Sequence, residues 1–195
     1  MCSHKTVTTN IFTVTINYIS TRMPKAGTQS ATVSYVAAED TQDIGRYICN
    51  LWNVTEFDIH TERDDQKLTE IINFYQEQPH VLDPHLQSWI DKLLEVVLSD
   101  KISQIASNLG FKYLYLLTKV RGEKYIVRLF PHEVVDIETV LKMLESDKID
   151  VWQAKYVLFL WLSILVLIPF DLKRLDGERE EGWSIRRMLS IATVS

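Results

Sequence analysis

The spacing of apolar residues after residue 40 constrains the fold of this chain more than any other feature. These residues recur at every third or fourth position, which is the period of an amphipathic helix with one buried face. Prolines, glycines and short polar runs interrupt the pattern and divide it into about seven helices. The apolar positions of the first six span Ile44–Leu51, Leu68–Tyr75, Leu86–Leu98, Ile102–Val120, Val134–Leu144 and Val151–Ile168, and a seventh helix begins at Ile185.

Residue types at the helix ends refine three of these boundaries. Asp40 or Thr41 is a candidate N-cap for the first helix, because a short polar side chain accepts a hydrogen bond from a free backbone N–H. Asp83 is a candidate N-cap for the third helix, with Pro84 following it at the first helical position. Gly122 is a candidate C-cap for the fourth, since glycine commonly ends a helix.

Consecutive helices with apolar faces and short loops predict an all-α fold. We expect an α-solenoid of antiparallel helices, similar to HEAT or armadillo repeats, over residues 39–195. No repeat of about 40 residues is visible in the sequence itself. The solenoid arrangement therefore depends on the family resemblance described below.

Residues 1–38 form a separate leader in this prediction. The segment contains Lys5, Arg22 and Lys25 but no acidic residue, and it is rich in Ser and Thr. Apolar and polar residues alternate over positions 12–18, which is the period of a strand. An isolated hairpin is marginal in water, so we expect a poorly structured leader. A mitochondrial targeting peptide is the alternative for a basic segment without acids.

Charge and hydropathy argue against two classes of partner. The net charge of −5 does not suit a nucleic-acid-binding protein, which needs a basic surface for phosphates. The most apolar run, Tyr156–Ile168, has 13 residues and is interrupted only by Ser163, whereas a membrane span needs about 20. We therefore predict a helix buried within the stack and no membrane partner. A small membrane-associated protein anchored by residues 151–168 is the alternative.

No residue pattern predicts catalysis, a cofactor or a metal. The two cysteines, Cys2 and Cys49, lack the spacing of a zinc site or a redox motif. His80 and His85 are five positions apart, whereas two ligands on one helix face are four apart. No glycine-rich phosphate loop and no Gly-x-Ser-x-Gly motif occurs. The sequence thus predicts a protein that is not an enzyme.

Positive charge concentrates in one stretch of an otherwise acidic chain. Within 17 residues lie five cations, Lys112, Lys119, Arg121, Lys124 and Arg128. A solvated helix end is one interpretation, since the helix dipole favours cations near a C-terminus. The other is a contact with an acidic partner, because complementary charge raises association rate and specificity. These five residues are the candidate partner-binding site.

Several strings of residues resemble a known family. They are Phe74–Leu86 (FYQEQPHVLDPHL), Phe111–Gly122 (FKYLYLLTKVRG), Arg128–Val134 (RLFPHEV), and Leu160–Ser163 (LWLS) with its continuation at Ile168–Gly177 (IPFDLKRLDG). In this order and spacing they resemble the amino-terminal region of tubulin-folding cofactor D, a family of tubulin-specific chaperones. The resemblance covers roughly residues 62–177 and leaves the leader unmatched.

This resemblance implies a function in tubulin folding. Members of the family are helical-repeat proteins several times longer than this chain, and they are not enzymes. They capture β-tubulin and act with other tubulin-folding cofactors and an Arf-like small GTPase to assemble or dismantle the tubulin heterodimer. A cytoplasmic or microtubule-associated chaperone is therefore expected, with strongly acidic tubulin as the partner of the five cations. A helical-repeat adaptor with unrelated cargo is the alternative.

The C-terminal end of the sequence leads to one further expectation. The helix that begins at Ile185 runs only to Ser195, so we expect a domain truncated at its C-terminal end. A terminal repeat needs a polar outer surface, whereas Met188 and Leu189 have no following helix on which to pack. On its own the chain is then expected to be a poor chaperone and to associate through this uncovered surface.

Overall fold

The computed structural model describes residues 36–146, 149 and 151–167 together with positions 183, 186, 187 and 190. All regular secondary structure within these residues is helical. The predicted leader, residues 1–38, lies outside them except for its last three residues, and so does most of the helix predicted from Ile185. The boundary between the leader and the helical domain stays a prediction.

Seven α-helices make up the described part of the chain. In chain order they are α1 (Ala38–Asn50), α2 (Ile59–Phe74), α3 (Asp83–Val97), α4 (Gln104–Arg121), α5 (Glu123–Ile126), α6 (Val134–Leu144) and α7 (Trp152–Leu165). Single 3-10 turns lie at Leu51–Asn53, Tyr75–Glu77, Pro79–Leu82 and Val127–Leu129. The six helices predicted before Ile185 correspond to α1–α4, α6 and α7, which confirms the all-α fold.

Side-chain and glycine caps set the limits of two helices. Ser103 Oγ accepts a hydrogen bond from the N–H of Ala106 at 3.1 Å and starts α4, and Gly122 ends it with a φ of 98°, as predicted. Asp58 caps α2 by accepting from the N–H of Thr61 at 2.8 Å. Because of this cap, α2 begins within a polar stretch where the sequence shows no apolar periodicity.

The predicted N-caps of α1 and α3 are wrong. Asp40 lies inside the first turn of α1, where its buried carboxylate accepts a hydrogen bond from Tyr75 Oη at 2.6 Å. Thr41 is also within the helix, and its hydroxyl donates to the carbonyl of Ala37. Asp83 is the first residue of α3, because a 3-10 turn runs directly into the helix and leaves no extended residue to act as a cap.

The helices pack in two layers. In one layer α4 lies between α2 and α7 and contacts both. In the other layer α1 packs against α3, and α3 contacts the Val127–Leu129 turn that leads to α6. Thus α2, α4 and α7 stack in one layer, and α1 stacks on α3 in the other. This is the arrangement of an α-solenoid of the armadillo kind.

The repeat that is not visible in the sequence is evident in the structure. From the start of α2 at Ile59 to that of α4 at Gln104 the chain advances 45 residues, and from there to the start of α7 at Trp152 it advances 48. Intervals of about 40–47 residues are typical of HEAT and armadillo repeats. The repetition lies in the order and layer of the helices and not in residue identity.

The most apolar helix, α7, packs between α4 and α6, but only part of its surface is buried, whereas burial on every side was predicted. Its buried residues are Ala154, Val157, Leu158, Trp161, Leu162 and Leu165. The Trp161 ring is buried, and its indole N–H donates to the carbonyl of Pro131 at 2.6 Å, so the polar group of this side chain also has a hydrogen-bond partner. Among the described helices, none has both the length and the hydropathy to cross a membrane.

Gly110 allows α3 and α4 to approach each other closely. A Cβ atom at this position would lie 2.7 Å from Cγ1 of Val97, which is closer than two carbon atoms can pack. Alanine would otherwise be preferred in a helix interior by about 1 kcal/mol. The close contact, and not helix propensity, therefore requires glycine here.

We predict that Gly110→Ala destabilises the fold by about 1–3 kcal/mol, because the stiff valine side chain cannot move away without strain. Urea unfolding measures the change. The control is Gly45→Ala in α1, where an added Cβ meets no atom within 4 Å and stability should rise by up to about 1 kcal/mol. Val97→Ala in the Gly110→Ala background should recover part of the loss, and equal effects at Gly110 and Gly45 would contradict the prediction.

Arg187 forms ion pairs with two glutamates, one within α6 and one directly after it. Its guanidinium donates to the two carboxylate oxygens of Glu145 at 2.5 Å and to Glu138 Oε2 at 2.7 Å. It also lies 5.0 Å from the centre of the Trp183 ring. The hydrogen bonds from Arg187 hold the pKa of the Glu145 carboxyl below its usual value. Ion pairs thus attach Arg187 to α6 and to the residue that follows it.

We predict that this attachment weakens in acid. Since the folded-state pKa of Glu145 is lowered, its ion pair adds stability above the unfolded value of about 4.3 and loses it as the pH falls through the folded-state pKa. Arg187→Gln should therefore lower the unfolding free energy near neutral pH more than in acid. Urea unfolding across this range measures the difference, with Glu70→Gln at an exposed site of α2 as control. An equal loss at all pH values would contradict the prediction.

Candidate functional site

Lys112, the first of the five predicted binding cations, is used inside the fold. Its Nζ lies 2.6 and 2.8 Å from the carboxylate oxygens of Asp65, a buried residue of α2. The pair joins α2 to α4 and compensates a carboxylate that has been removed from water. Burial and the nearby Asp65 carboxylate together raise the pKa of the neighbouring phenol, Tyr113.

Arg121 has a similar role at the C-terminal end of α4. Its guanidinium donates to both carboxylate oxygens of Asp83 at 2.5 and 2.9 Å, and it lies 3.8 Å from the centre of the Tyr125 ring. The hydrogen bond to Asp83 raises the pKa of Arg121. Asp83 is the first residue of α3 and Arg121 is the last of α4. The pair therefore joins the N-terminal end of α3 to the C-terminal end of α4, which runs antiparallel to it.

The three remaining cations form what we call the basic surface, which consists of Lys119, Lys124 and Arg128. All three side chains are exposed, and none forms an ion pair with another described residue. Lys119 is in the last turn of α4, where the helix dipole also favours a cation. The predicted cluster is therefore divided into two structural cations and three that face solvent.

An aromatic patch, which the sequence did not predict, lies beside the basic surface. It consists of Tyr115, Trp152 and Tyr156. The Tyr115 ring centre is 4.7 Å from that of Trp152 and 5.4 Å from that of Tyr156, in both cases edge to face. Trp152 is 57% exposed and Tyr156 is 37% exposed, although the sequence pattern of α7 predicted a helix with no side facing water.

A polar cavity of about 210 Å³ lies between α1, α2 and α4. Its walls include the carboxylates of Glu56, Asp58 and Asp64. Asp58 is the N-cap of α2, and Asp64 accepts a hydrogen bond from Asn50 Nδ2 at 3.4 Å. Two of the three carboxylates therefore have structural contacts within the chain.

The histidines considered as metal ligands are separate from one another. His80 is exposed, whereas the His85 ring stacks on Trp89 with 5.5 Å between ring centres. Within the described residues no three metal-ligating side chains converge. The position of His85 on the surface of α3 is thus explained by ring stacking.

Comparison with known proteins identifies the family of this chain. Residues 72–194, more than half of the chain, match the family described as tubulin-specific chaperone D-like, ARM repeat. The chain belongs to this family. The match extends from the end of α2 through α7 and includes the basic surface and the aromatic patch. The resemblance carried by the four strings of residues is confirmed.

Two relatives of the tubulin-specific chaperone D-like family illustrate the extent of the similarity. The chain is 24% identical over 207 aligned residues to tubulin-specific chaperone D of Dictyostelium discoideum, and this alignment covers 60% of the chain and 14% of the relative. It is 33% identical over 106 residues to tubulin-folding cofactor D of Schizosaccharomyces pombe, and this alignment covers 54% of the chain and 9% of the relative. The chain thus spans a small part of these relatives. No solved structure matches it.

We predict that the structural and the solvent-facing cations respond differently to charge reversal. Arg121→Glu should lower the unfolding free energy by roughly 1–2 kcal/mol, because it breaks a half-buried pair and places two carboxylates together. Lys119→Glu, two positions away on the exposed face, should change it by less than about 0.5 kcal/mol. Urea unfolding of the two variants tests this, and equal effects would contradict the division of the cluster.

Proposed function

We propose that this chain is a tubulin-binding part of a chaperone, and that the basic surface contacts tubulin. The observation that carries the proposal is the exposure of Lys119, Lys124 and Arg128, without an ion-pair partner among the described residues, in a member of the tubulin-specific chaperone D-like family. A net charge of −5 makes a concentrated group of exposed cations unusual for this chain. Such a group favours an acidic partner over a basic or neutral one.

The proposed mechanism is binding and not catalysis. A stack of helices presents an extended surface, and it can hold a partner in one conformation if its affinity for that conformation is higher. The partner we propose is β-tubulin, in the cytoplasm or at microtubules. Other tubulin-folding cofactors and an Arf-like small GTPase are proposed as further partners of the assembly to which this chain contributes.

The test compares two variants with the same change in charge. In the first, Lys119, Lys124 and Arg128 are all replaced by Glu. In the control, the exposed residues Lys67, Lys92 and Lys101 are replaced by Glu, none of which forms an ion pair with another described residue. Arg121 is left unchanged in both, because its loss would disturb the fold.

We predict that the first variant binds purified tubulin heterodimer at least about tenfold more weakly than the parent, with a larger loss at low salt, where charges are less screened. The control variant should lose much less of its affinity for tubulin. Circular dichroism first establishes that both variants are folded. The affinity of each variant for surface-immobilised tubulin is then measured at two ionic strengths. Equal binding by the parent and the first variant would contradict the proposal that the basic surface contacts tubulin. Absence of tubulin binding by the parent would instead favour the helical-repeat adaptor with unrelated cargo.

A further inference from the structure

We propose that the aromatic patch, with Lys119 and Lys155 beside it, is a docking site for an extended acidic segment of a partner protein. The segment would place an apolar side chain against the rings of Trp152 and Tyr156 and carboxylates near the two lysines. This inference rests on the proposed function in one respect, since the acidity of the partner is also inferred from the adjacent basic surface.

The exposure of the rings is the first argument. Tryptophan is usually well buried because its large ring gains most from leaving water, yet Trp152 is 57% exposed at the start of α7. The next residue on the same stripe, Tyr156, is also partly exposed. Tyrosine and tryptophan are the residues most enriched among those that dominate binding energy at protein interfaces.

The geometry of the rings is the second argument. Tyr115 is half-buried on α4 and meets both other rings edge to face, at interplanar angles of 75° and 90°. Because α4 is held by α2, α3 and α7, it supports the two exposed rings from a fixed position. The patch is therefore ordered before a partner arrives, which reduces the entropy lost on binding.

The positive charge beside the aromatic patch favours a partner segment that is acidic. Lys119 is one helical turn after Tyr115 on α4, and Lys155 is one turn after Trp152 on α7, and both side chains are exposed. The carboxylate of Glu123 also lies nearby and accepts a hydrogen bond from Tyr156 Oη at 3.4 Å. Two cations thus flank an apolar surface, and this combination matches a segment in which acidic residues surround an apolar one.

A labelled peptide tests the site without requiring tubulin. The probe is a glutamate-rich peptide with one central phenylalanine, and its binding to the full 195-residue chain is measured by fluorescence anisotropy. Trp152→Ala should weaken binding about tenfold or more, as truncation of a dominant interface residue does. Tyr156→Phe keeps the ring and should bind within about twofold of the parent. Lys155→Gln should weaken binding less than Trp152→Ala and reduce its dependence on salt.

The matched control is Trp52→Ala, which removes another exposed tryptophan, 44% exposed, from the turn after α1. It should bind the peptide like the parent. Equal binding by parent and Trp152→Ala, or equal binding of a peptide with Gln in place of every Glu, would overturn the proposal. A dimer of the parent that Trp152→Ala dissociates, measured by light scattering, would also overturn it, since a second copy would then cover the patch.

Tubulin binding by the same variants separates the two proposals. If the peptide binds through Trp152 but the chain does not bind tubulin, the docking site holds and the proposed function fails. If Trp152→Ala leaves binding of the peptide unchanged but reversal of the basic surface abolishes tubulin binding, the proposed function holds and the docking site fails.

Discussion

The enclosure of α4 by α2, α3 and α7 is the constraint on which the rest of the structure depends. Most of its side chains are buried, and Gly110 brings α3 against it so closely that a Cβ atom has no room. A helix enclosed in this way can carry polar groups only where the chain satisfies them. Thr118 donates to the carbonyl of Leu114 at 2.7 Å, and the two internal ion pairs compensate the charges of Lys112 and Arg121.

The same enclosure decides which part of α4 is available to a partner. Its exposed stripe is narrow, and near the C-terminal end it contains Tyr115 and Lys119. These two residues connect the aromatic patch on α7 with the basic surface that continues through α5. The candidate contacts are therefore concentrated at one place by packing, although the residues that form them come from different repeats.

Apolar periodicity predicted six of the seven described α-helices, all except the short α5, because burial of one face determines them locally. Predictions from residue type and charge failed where a partner distant in sequence uses the side chain. Asp40 and Asp83 are good N-caps by residue type, but Tyr75 and Arg121 use their carboxylates, from 35 and 38 residues away. Lys112 could not be distinguished from Lys119 for the same reason, since Asp65 is 47 residues from its lysine.

The exposed rings of α7 were missed for a different reason. A nearly continuous apolar run contains no polar side from which an outward face can be read, so the pattern of Tyr156–Ile168 predicted burial on every side. The exposure of residues 152, 155 and 156 is evident only once α7 is packed against its neighbours in the structure. The period of 45 and then 48 residues is equally absent from the pattern, because it is a repetition of helix placement.

The five clustered cations divide into two that form internal ion pairs and three that face solvent. Lys112 and Arg121 are held by partners in α2 and α3, so replacing either leaves a carboxylate without its cation and costs stability. Lys119, Lys124 and Arg128 carry no such cost within the described chain, and exposed charges change stability little. Residues that are separated by only two or three positions are thus under different physical constraints. A partner-binding surface built from the second group can vary in affinity while the solenoid beneath it stays the same.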